Sequence, residues 1–234
     1  MTRSLRCVLF DIDGTLVRML GAGARAMDRA FEGLTGIRGA FEGIPMAGRT
    51  DRAIVCSAIE RRTALGAVLP AENALMARFV EAYLPDLERE AASEGPRVCP
   101  GVLAAVEMLE RRGIAIGLAT GNFRGAAEIK LRRFGLWSRF AFGGFGDATR
   151  DRAVMLTDAL REARRVAGAA PDETLVVGDT EADVAAGKAV GAPTMAVATG
   201  PFTADDLAGA GPDLLFEDLT EAVRARFWEH RRGG

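Results

Sequence analysis

The stretch Cys7-Val-Leu-Phe-Asp-Ile-Asp-Gly-Thr15 decides the fold, because a short apolar run ends in two carboxylates and a glycine. Two later stretches follow the same plan. Residues 114–119 lead into Thr120-Gly-Asn122, and residues 174–177 lead into Gly178-Asp-Thr-Glu-Ala-Asp183. Short, continuous apolar runs rich in β-branched residues are typical of strands that are buried on both faces of a parallel sheet.

Helical patterns separate these runs, and a fourth apolar run at 193–198 follows them. Val102, Leu103, Val106 and Leu109 are spaced for one helix face, and residues 156–163 repeat the pattern. Strand–helix alternation at this spacing predicts an α/β fold with a doubly wound, Rossmann-like parallel sheet. Ligands of such folds bind beyond the carboxyl ends of the strands, so we expect the three polar stretches to meet there.

The region between residues 18 and 95 has a different character, because it contains helical patterns and no convincing strand. Helices are predicted over 25–34, 50–62 and 71–84, and Pro85 is expected to kink or end the last of them. We therefore predict an α/β core domain formed by 1–17 and 96–234, with an inserted all-helical cap domain at 18–95.

Composition narrows the classes of function. The 234 residues carry a formal net charge of -2, which gives no reason to expect a nucleic-acid partner. No apolar stretch approaches the length of a membrane span, so no membrane partner is expected either. Three widely spaced cysteines without a CxxC pair fit a reducing compartment, and we expect a cytoplasmic protein. Monomer and homodimer both stay open.

His230 is the only histidine, and it lies near the C-terminus among arginines. A solvated position in the tail is expected for it. Ser-His-Asp, Cys-His and histidine-ligated metal chemistry therefore lack their central residue. Any catalysis by this chain must depend on carboxylates.

Asp11 and Asp13 follow the first run two residues apart, so in extended backbone their carboxylates point the same way. Like charges held together repel and raise each other's pKa, and a hard divalent cation removes that conflict. The pair predicts a Mg²⁺ site, with a plain Asp-Gly turn as the alternative. Asp179 and Asp183 repeat the logic one helical turn apart, the alternative being a helix start capped by Asp179.

Thr120, Gly121 and Asn122 offer a hydroxyl, an amide and flexible backbone at the start of a predicted helix. Backbone N–H groups at such a position bind anions, although an ordinary turn would also explain the residues. Three loops that bring acids and anion-binding donors to one end of a sheet predict Mg²⁺-assisted phosphoryl chemistry.

With these motifs in place, the sequence resembles the haloacid dehalogenase superfamily, and within it the phosphoglycolate-phosphatase-like members with a helical cap. The resemblance is carried by DxDGT at 11–15 and GDxxxD at 178–183 and covers nearly the whole chain. It implies that Asp11 is the nucleophile and that Asp13 is the general acid and base. The remaining implied roles are Mg²⁺ binding by Asp11, Asp179 and the backbone carbonyl of Asp13, support of the metal by Asp183, and phosphate binding by Thr120, Gly121 and Asn122.

The family also uses a cation beside the nucleophile, usually a lysine followed by proline, and this sequence has none at that place. Arg152 is the first candidate for this role and Arg150 the second, although arginine is not equivalent to lysine. Arg49, in Gly48-Arg-Thr-Asp51 ahead of a predicted cap helix, is a weaker candidate for reading a substrate carboxylate or phosphate; a capping motif with an exposed arginine is the alternative.

The resemblance implies Mg²⁺-dependent hydrolysis of a small-molecule phosphate ester through an aspartyl-phosphate. A phosphomutase on the same scaffold is the first alternative, since the motifs do not separate the two. A dehalogenase is disfavoured by Asp13, because displacing a halide needs no proton donor. An inactive binding module is disfavoured by the complete acidic set. The ester itself is not specified by the sequence.

Overall fold

A computed structural model describes residues 4–227; His230 lies outside the described residues. Its centre is a six-stranded sheet in which every neighbouring pair is parallel, in the order β5-β4-β1-β6-β7-β8. A separate antiparallel ribbon joins β2 to β3. The strands are β1 (Cys7–Phe10), β2 (Val17–Arg18), β3 (Arg97–Val98), β4 (Ala115–Ala119), β5 (Gly143–Gly144), β6 (Thr174–Gly178), β7 (Thr194–Val197) and β8 (Leu214–Phe216).

β1 lies in the middle of the sheet, between β4 and β6, and all four of its residues are buried. Val8 and Phe10 pack into one hydrophobic cluster, whereas Cys7 and Leu9 pack into another on the opposite face. Both faces are therefore covered, which explains why this strand is a continuous apolar run rather than an alternating one.

Helices cover the two faces of the sheet as the sequence predicted. α4 and α9 contribute to the cluster around Phe10, and α6 and α7 contribute to the cluster around Leu9. The predicted doubly wound α/β fold is therefore confirmed. The helices outside the region between β2 and β3 are α4 (Val102–Arg111), α5 (Arg124–Arg132), α6 (Arg152–Ala167), α7 (Glu181–Ala189), α8 (Ala204–Gly209) and α9 (Leu219–Arg224).

The chain between β2 and β3 is helical throughout its regular structure and contains α1 (Ala22–Thr35), α2 (Asp51–Ala64) and α3 (Glu72–Ala91). These helices share a hydrophobic cluster of their own, which also takes in Phe123 and Ala126 from the start of α5. The aromatic rings of Phe31, Phe79 and Tyr83 lie inside this cluster. The three helices thus pack directly on the part of the sheet edge where α5 begins.

Of the two outcomes expected at Pro85, a kink or the end of the helix, the second does not occur, because α3 continues to Ala91. The residues beyond Pro85 explain the continuation. Leu87 and Ala91 are buried, and Asp86 and Glu90 accept ion pairs from Arg29 on α1. Packing against α1 therefore outweighs the loss of one backbone hydrogen bond at the proline.

Two further features bear on the expectations about compartment and partners. Cys7, Cys56 and Cys99 are buried and free. Among residues 4–227, the helices include none that combines the length and the hydropathy needed to cross a membrane.

Candidate active site

The first loop of the site follows β1 and turns sharply back on itself. The Ile12 carbonyl accepts hydrogen bonds from the backbone N–H groups of Leu16 at 2.9 Å and Val17 at 3.0 Å. Gly14 adopts a left-handed φ of 85°, and a side chain there would overlap the Asp179 carboxylate. Glycine is thus required both for the turn and for the approach of the loop to β6.

The second loop follows β6, where Asp179 is nearly completely buried and accepts a hydrogen bond from the Thr15 hydroxyl at 3.1 Å. Thr180 is the N-cap of α7, so the alternative of Asp179 as a cap does not hold. Asp183 completes a capping box: its Oδ2 accepts from the Thr180 hydroxyl at 2.6 Å and from the Thr180 N–H at 3.1 Å.

Asp11, Asp179 and Asp183 form one buried acidic cluster, in which one carboxylate oxygen of each lies within 4.8 Å of the others. Burial raises the pKa of Asp11 to about 7, with further contributions from the charges of Asp183 and Asp13. Burial and the charges of Asp11 and Asp183 raise the pKa of Asp179 well above its ordinary value. Oxygen ligands with mutually repelling charges are the donor set that fits a hard divalent cation.

Arg152 is the cation of this cluster. It is the first residue of α6, and its Nη2 lies 3.2 Å from Asp11 Oδ1. Its Nε donates to Asp183 Oδ1 at 3.1 Å, and Nη2 contacts the same oxygen. The guanidinium therefore bridges the predicted nucleophile and the acid at the start of α7, and its charge lowers the pKa of Asp11 against the effect of burial.

Arg150, the second candidate for this role, points elsewhere. Its guanidinium pairs with Glu60 on α2 at 2.6 Å and with Glu72 on α3 at 2.5 Å. Geometry therefore favours Arg152 over Arg150 as the cation beside Asp11, while Arg150 connects the loop before α6 to the helical region.

The third loop follows β4 and places Thr120, Gly121 and Asn122 beside the first loop. The Thr120 hydroxyl accepts from the Asn122 side chain at 2.9 Å, and that side chain also donates to Asp13 Oδ2 at 2.8 Å. The backbone carbonyl of Gly121 accepts from the Asp51 N–H at 2.7 Å. The loop thus contacts both the first loop and the start of α2.

Lys130 is a site residue that the sequence analysis missed. It lies on α5, is 4% exposed, and its Nζ is 2.5 Å from Asp13 Oδ2 and also contacts Asn122 Oδ1. A signal was present: Lys130 is one of only two lysines, and it shares a helix face with Ala126 and Ala127, which are apolar and buried. A charged residue on the apolar face of a helix that begins at a functional loop is expected to point its side chain into the protein.

The helical region contributes Arg49 and Asp51. The Arg49 guanidinium donates to the Ser57 hydroxyl at 2.8 Å and to the Ala53 carbonyl at 3.2 Å, so it lies along α2 while it also lines the cavity. Asp51 was not predicted as a site residue. Its buried carboxylate accepts from the Phe123 N–H at 2.8 Å, and burial raises its pKa to about 6, with Lys130 opposing.

A cavity of about 480 Å³ connects these groups. Its floor contains Asp11, Asp13, Asp179 and Arg152, and its other wall is supplied by the region between β2 and β3. Among the predicted residues, Gly121, Asn122 and Arg49 line it as well, whereas Asp183 and Thr120 lie behind the lining. The residues from the helical side are mainly apolar and include Met19, Leu20, Met27, Met46, Ile54 and Tyr83.

This arrangement agrees with a comparison against known families. Residues 5–191 match the haloacid dehalogenase-like hydrolases. The chain belongs to this family. A phosphoglycolate phosphatase of Rhodospirillum rubrum is 30% identical over 224 residues, which cover 92% of this chain and 88% of the relative. A probable phosphatase, IndB, of Dickeya dadantii is 27% identical over 93% of this chain and 92% of its own length.

Two solved structures have the same fold as this chain. A predicted phosphoglycolate phosphatase from Haemophilus somnus aligns with a TM-score of 0.71 at 18% identity, covering 95% of this chain and 98% of its own. CbbY from Rhodobacter sphaeroides, in complex with phosphate, aligns with a TM-score of 0.71 at 20% identity, covering 93% and 96%. The resemblance, the fold class and the phosphatase class of enzyme predicted from sequence are confirmed.

Proposed function

We propose that this hydrolase removes phosphate from a small-molecule phosphomonoester in a Mg²⁺-dependent reaction, with an aspartyl-phosphate on Asp11 as the intermediate. The observation that carries the proposal is the position of Asp11. Its carboxylate lies between the Arg152 guanidinium, 3.2 Å away, and the carboxylates of Asp179 and Asp183, at the floor of a cavity that would hold the ester.

The two half-reactions use Asp11 and Asp13 in turn. An Asp11 oxygen attacks phosphorus and forms the new O–P bond, while the bond from phosphorus to the alcohol oxygen breaks. Asp13 gives its proton to that oxygen, so a neutral alcohol leaves. Asp13 then takes a proton from water as the water oxygen attacks phosphorus. Inorganic phosphate is released and the Asp11 carboxylate is restored.

Asp13 is held ready for this work by two donors. Lys130 Nζ lies 2.5 Å from its Oδ2 and the Asn122 side chain 2.8 Å from the same atom. Both contacts are to Oδ2, so the other carboxylate oxygen of Asp13 is free to face the cavity. The side chain of Asp13 is also more exposed than that of Asp11. A general acid and base must reach both the leaving oxygen and a water, and this position suits both tasks.

Mg²⁺ would be held by the carboxylates of Asp11 and Asp179 and by the backbone carbonyl of Asp13. When bound, it supplies Lewis-acid stabilisation of the charge on the transferring phosphoryl group. Asp183 would support these ligands without binding Mg²⁺ itself, because its oxygens already accept hydrogen bonds from Thr180 and Arg152. Its part is to fix Arg152 and the start of α7 in place.

Phosphate oxygens would be bound by Arg152, the Thr120 hydroxyl and the backbone of Gly121 and Asn122. Residues 18–95 would form a cap domain that closes the cavity and excludes bulk water during attack. Arg49 is proposed as a weaker contact to the substrate, since this residue lines the cavity just ahead of α2.

Phosphoglycolate is one candidate ester, because relatives over most of the chain are phosphoglycolate phosphatases. Several sugar and nucleotide phosphates are candidates as well. A phosphomutase is the alternative activity, and it would return the phosphoryl group to a sugar instead of releasing phosphate. We also propose a cytoplasmic protein that has no nucleic-acid or membrane partner and is a monomer or homodimer.

The test is release of inorganic phosphate from a panel of phosphomonoesters with Mg²⁺ and with excess chelator, by wild type and by Asp11→Asn. We expect turnover only with Mg²⁺ and a loss of at least about 10³-fold in Asp11→Asn, since the nucleophile is removed. Undiminished turnover in chelator, or an active Asp11→Asn enzyme, would contradict the mechanism. Phosphoryl transfer between sugar positions without net phosphate release would favour the mutase.

A further inference from the structure

The cavity has a second end that the phosphoryl chemistry does not use. It lies toward the helical region and is lined by Gly23 and Met27 from α1, Ile54 from α2, Tyr83 from α3 and Lys130 from α5. Met27 and Ile54 supply apolar surface, whereas Tyr83 and Lys130 supply polar groups. This combination of an apolar wall and a few converging polar atoms is typical of a small-molecule subsite.

Tyr83 carries a polar group that the described chain does not satisfy. Its ring is held firmly, stacked on Phe79 with centroids 5.7 Å apart and edge-on to Phe123 at 6.4 Å. Its hydroxyl is buried, yet among residues 4–227 it has no hydrogen-bond partner. Buried hydroxyls without partners are costly, so a tyrosine rather than a phenylalanine here calls for a partner from outside the chain.

The protonation state of the Tyr83 hydroxyl determines which kind of partner it can bind. Burial and the nearby carboxylates of Asp51 and Asp13 raise the pKa of Tyr83 well above 10, so the hydroxyl keeps its proton. A neutral phenol can donate to an acceptor oxygen. The Lys130 ammonium has three N–H groups and contacts only Asp13 and Asn122 within the described residues, which leaves one donor available.

Gly23 leaves space between these two donors. A Cβ atom at Gly23 would lie 3.7 Å from the Tyr83 hydroxyl and 3.9 Å from Lys130 Nζ. Both distances are ordinary van der Waals contacts, so a methyl group would fit there but would occupy the space between the polar groups. Gly23 lies inside α1 and lacks a positive φ, so helix geometry does not require glycine there.

Lys130 connects the space beside Gly23 and Tyr83 to the site of proton transfer. Its Nζ is 2.5 Å from Asp13 Oδ2, and in the proposed mechanism Asp13 protonates the leaving oxygen. The leaving alcohol must therefore lie beside Asp13, and the corner formed by Gly23, Tyr83 and Lys130 is the adjoining space.

We propose that Gly23, Tyr83 and Lys130 form the subsite for the leaving alcohol, which we call the alcohol corner. It takes phosphate esters of small alcohols that carry a hydrogen-bond acceptor oxygen close to the ester carbon. Tyr83 and Lys130 donate to that oxygen, Met27 and Ile54 contact the carbon chain, and Gly23 provides the room. This inference rests on the proposed phosphatase function and defines its selectivity.

The first test compares 2-hydroxyethyl phosphate with ethyl phosphate, which differ by one acceptor oxygen. Wild type should prefer the former in kcat/KM by about tenfold or more, and Tyr83→Phe should reduce this preference by about 3–10-fold, as expected for one hydrogen bond. An unchanged preference in Tyr83→Phe, or no preference in wild type, would overturn the assignment of Tyr83 as a donor to the alcohol.

The second test uses two glycines of the same helix. Gly23→Ala should raise KM for 2-hydroxyethyl phosphate about tenfold, because its methyl group occupies the alcohol corner. Gly33→Ala is the matched control, since a Cβ there meets no atom within 4 Å, and its KM should stay within about twofold of wild type. Both variants should unfold at or above the wild-type temperature, since alanine favours a helix interior.

The outcomes separate the alcohol corner from the proposed function. Absence of Mg²⁺-dependent phosphate release from every ester tested would overturn the phosphatase proposal itself. Turnover of other esters but of neither two-carbon ester would overturn the ligand class. Equal KM values in Gly23→Ala and Gly33→Ala, with turnover intact, would overturn the alcohol corner alone.

Discussion

At the scale of single residues, Arg152 determines how the charges of the site are balanced. Four aspartates, Asp11, Asp13, Asp179 and Asp183, come together from the two segments that follow β1 and β6, and Arg152 is the cation in contact with two of them. A buried guanidinium that is shared between two carboxylates is held in a defined orientation, and a phosphoryl group bound at Asp11 would meet its N–H groups without further rearrangement.

We predict that Arg152→Lys lowers kcat by about 10²-fold, because an ammonium keeps the charge but cannot contact Asp183 and a phosphoryl group through one planar fork. Arg150→Lys is the control. Its pairs with Glu60 and Glu72 are largely exposed, and exposed pairs contribute about 1 kcal/mol or less. Steady-state phosphate release measures both. If only the Arg150 change abolished turnover, the cation beside Asp11 would be wrongly assigned.

Some residues of the site could be predicted from the sequence, and others could not. Asp11, Asp13, Asp179 and Asp183 were identifiable because each follows an apolar run, and parallel strands bring such ends together. For Lys130 the sequence signals an inward-facing side chain but not its partner, and for Asp51 it gives no such signal, because their contacts with Asp13 and Phe123 depend on how α5 and α2 pack. Arg49 was identified from its motif, but the direction of its guanidinium along α2 is a packing result.

At the scale of elements, the strands differ in how visible they are in the sequence. β1, β4, β6 and β7 are continuous apolar runs and were predicted within one or two residues. β5 is only Gly143–Gly144, and no propensity predicts a strand from two glycines. Its glycines have a tertiary cause: a Cβ at Gly144 would overlap the Met155 backbone of α6, so the helix packs too closely for any side chain.

Pro85 gives a prediction about an element. It is exposed inside α3 and removes one backbone donor without contributing to the core. We expect Pro85→Ala to raise the free energy of unfolding by about 1–3 kcal/mol, measured by denaturant titration. Pro70→Ala is the control: this proline is also exposed but precedes the helix, and its replacement should lower stability by about 0.4–1 kcal/mol through the unfolded chain. Equal effects of the two substitutions would contradict this account.

At the scale of the whole molecule, the cavity is enclosed because the helical region packs against the loops at the sheet edge. The start of α2 contacts two core loops: Asp51 bonds to Gly121 and Phe123, and Thr50 donates to the Thr149 carbonyl at 3.0 Å. Gly121 permits this approach, since a side chain there would overlap the Arg49 carbonyl. The helical character of this part of the chain was predictable, but this docking was not, because its contacts join residues far apart in the sequence.

The dependence of folding stability on pH should test the proposed binding of a metal to the acidic cluster. Burial raises the pKa of Asp11 to about 7 and that of Asp179 above its ordinary value, whereas unfolded aspartates titrate near pH 4. Between these values the metal-free folded protein binds protons that the unfolded chain has released. These two groups therefore make the stability of the metal-free protein fall as pH rises from about 4 to about 7, the reverse of the dependence produced by a salt-bridged aspartate.

Thermal unfolding in chelator and in Mg²⁺, at pH 5 and at pH 8, measures this dependence. In chelator the melting temperature should be lower at pH 8, and Mg²⁺ should raise it more at pH 8 than at pH 5, because the ion replaces the protons on the acidic cluster.

Metal-free Asp11→Asn should be more stable than wild type at pH 8, each kcal/mol appearing as about 2–4 °C in a chain of this size. Asp205→Asn, at an exposed position on α8, should leave the difference between chelator and Mg²⁺ unchanged. A metal-free wild type that gains stability between pH 5 and pH 8 would show that the acids carry no strain for a cation to relieve.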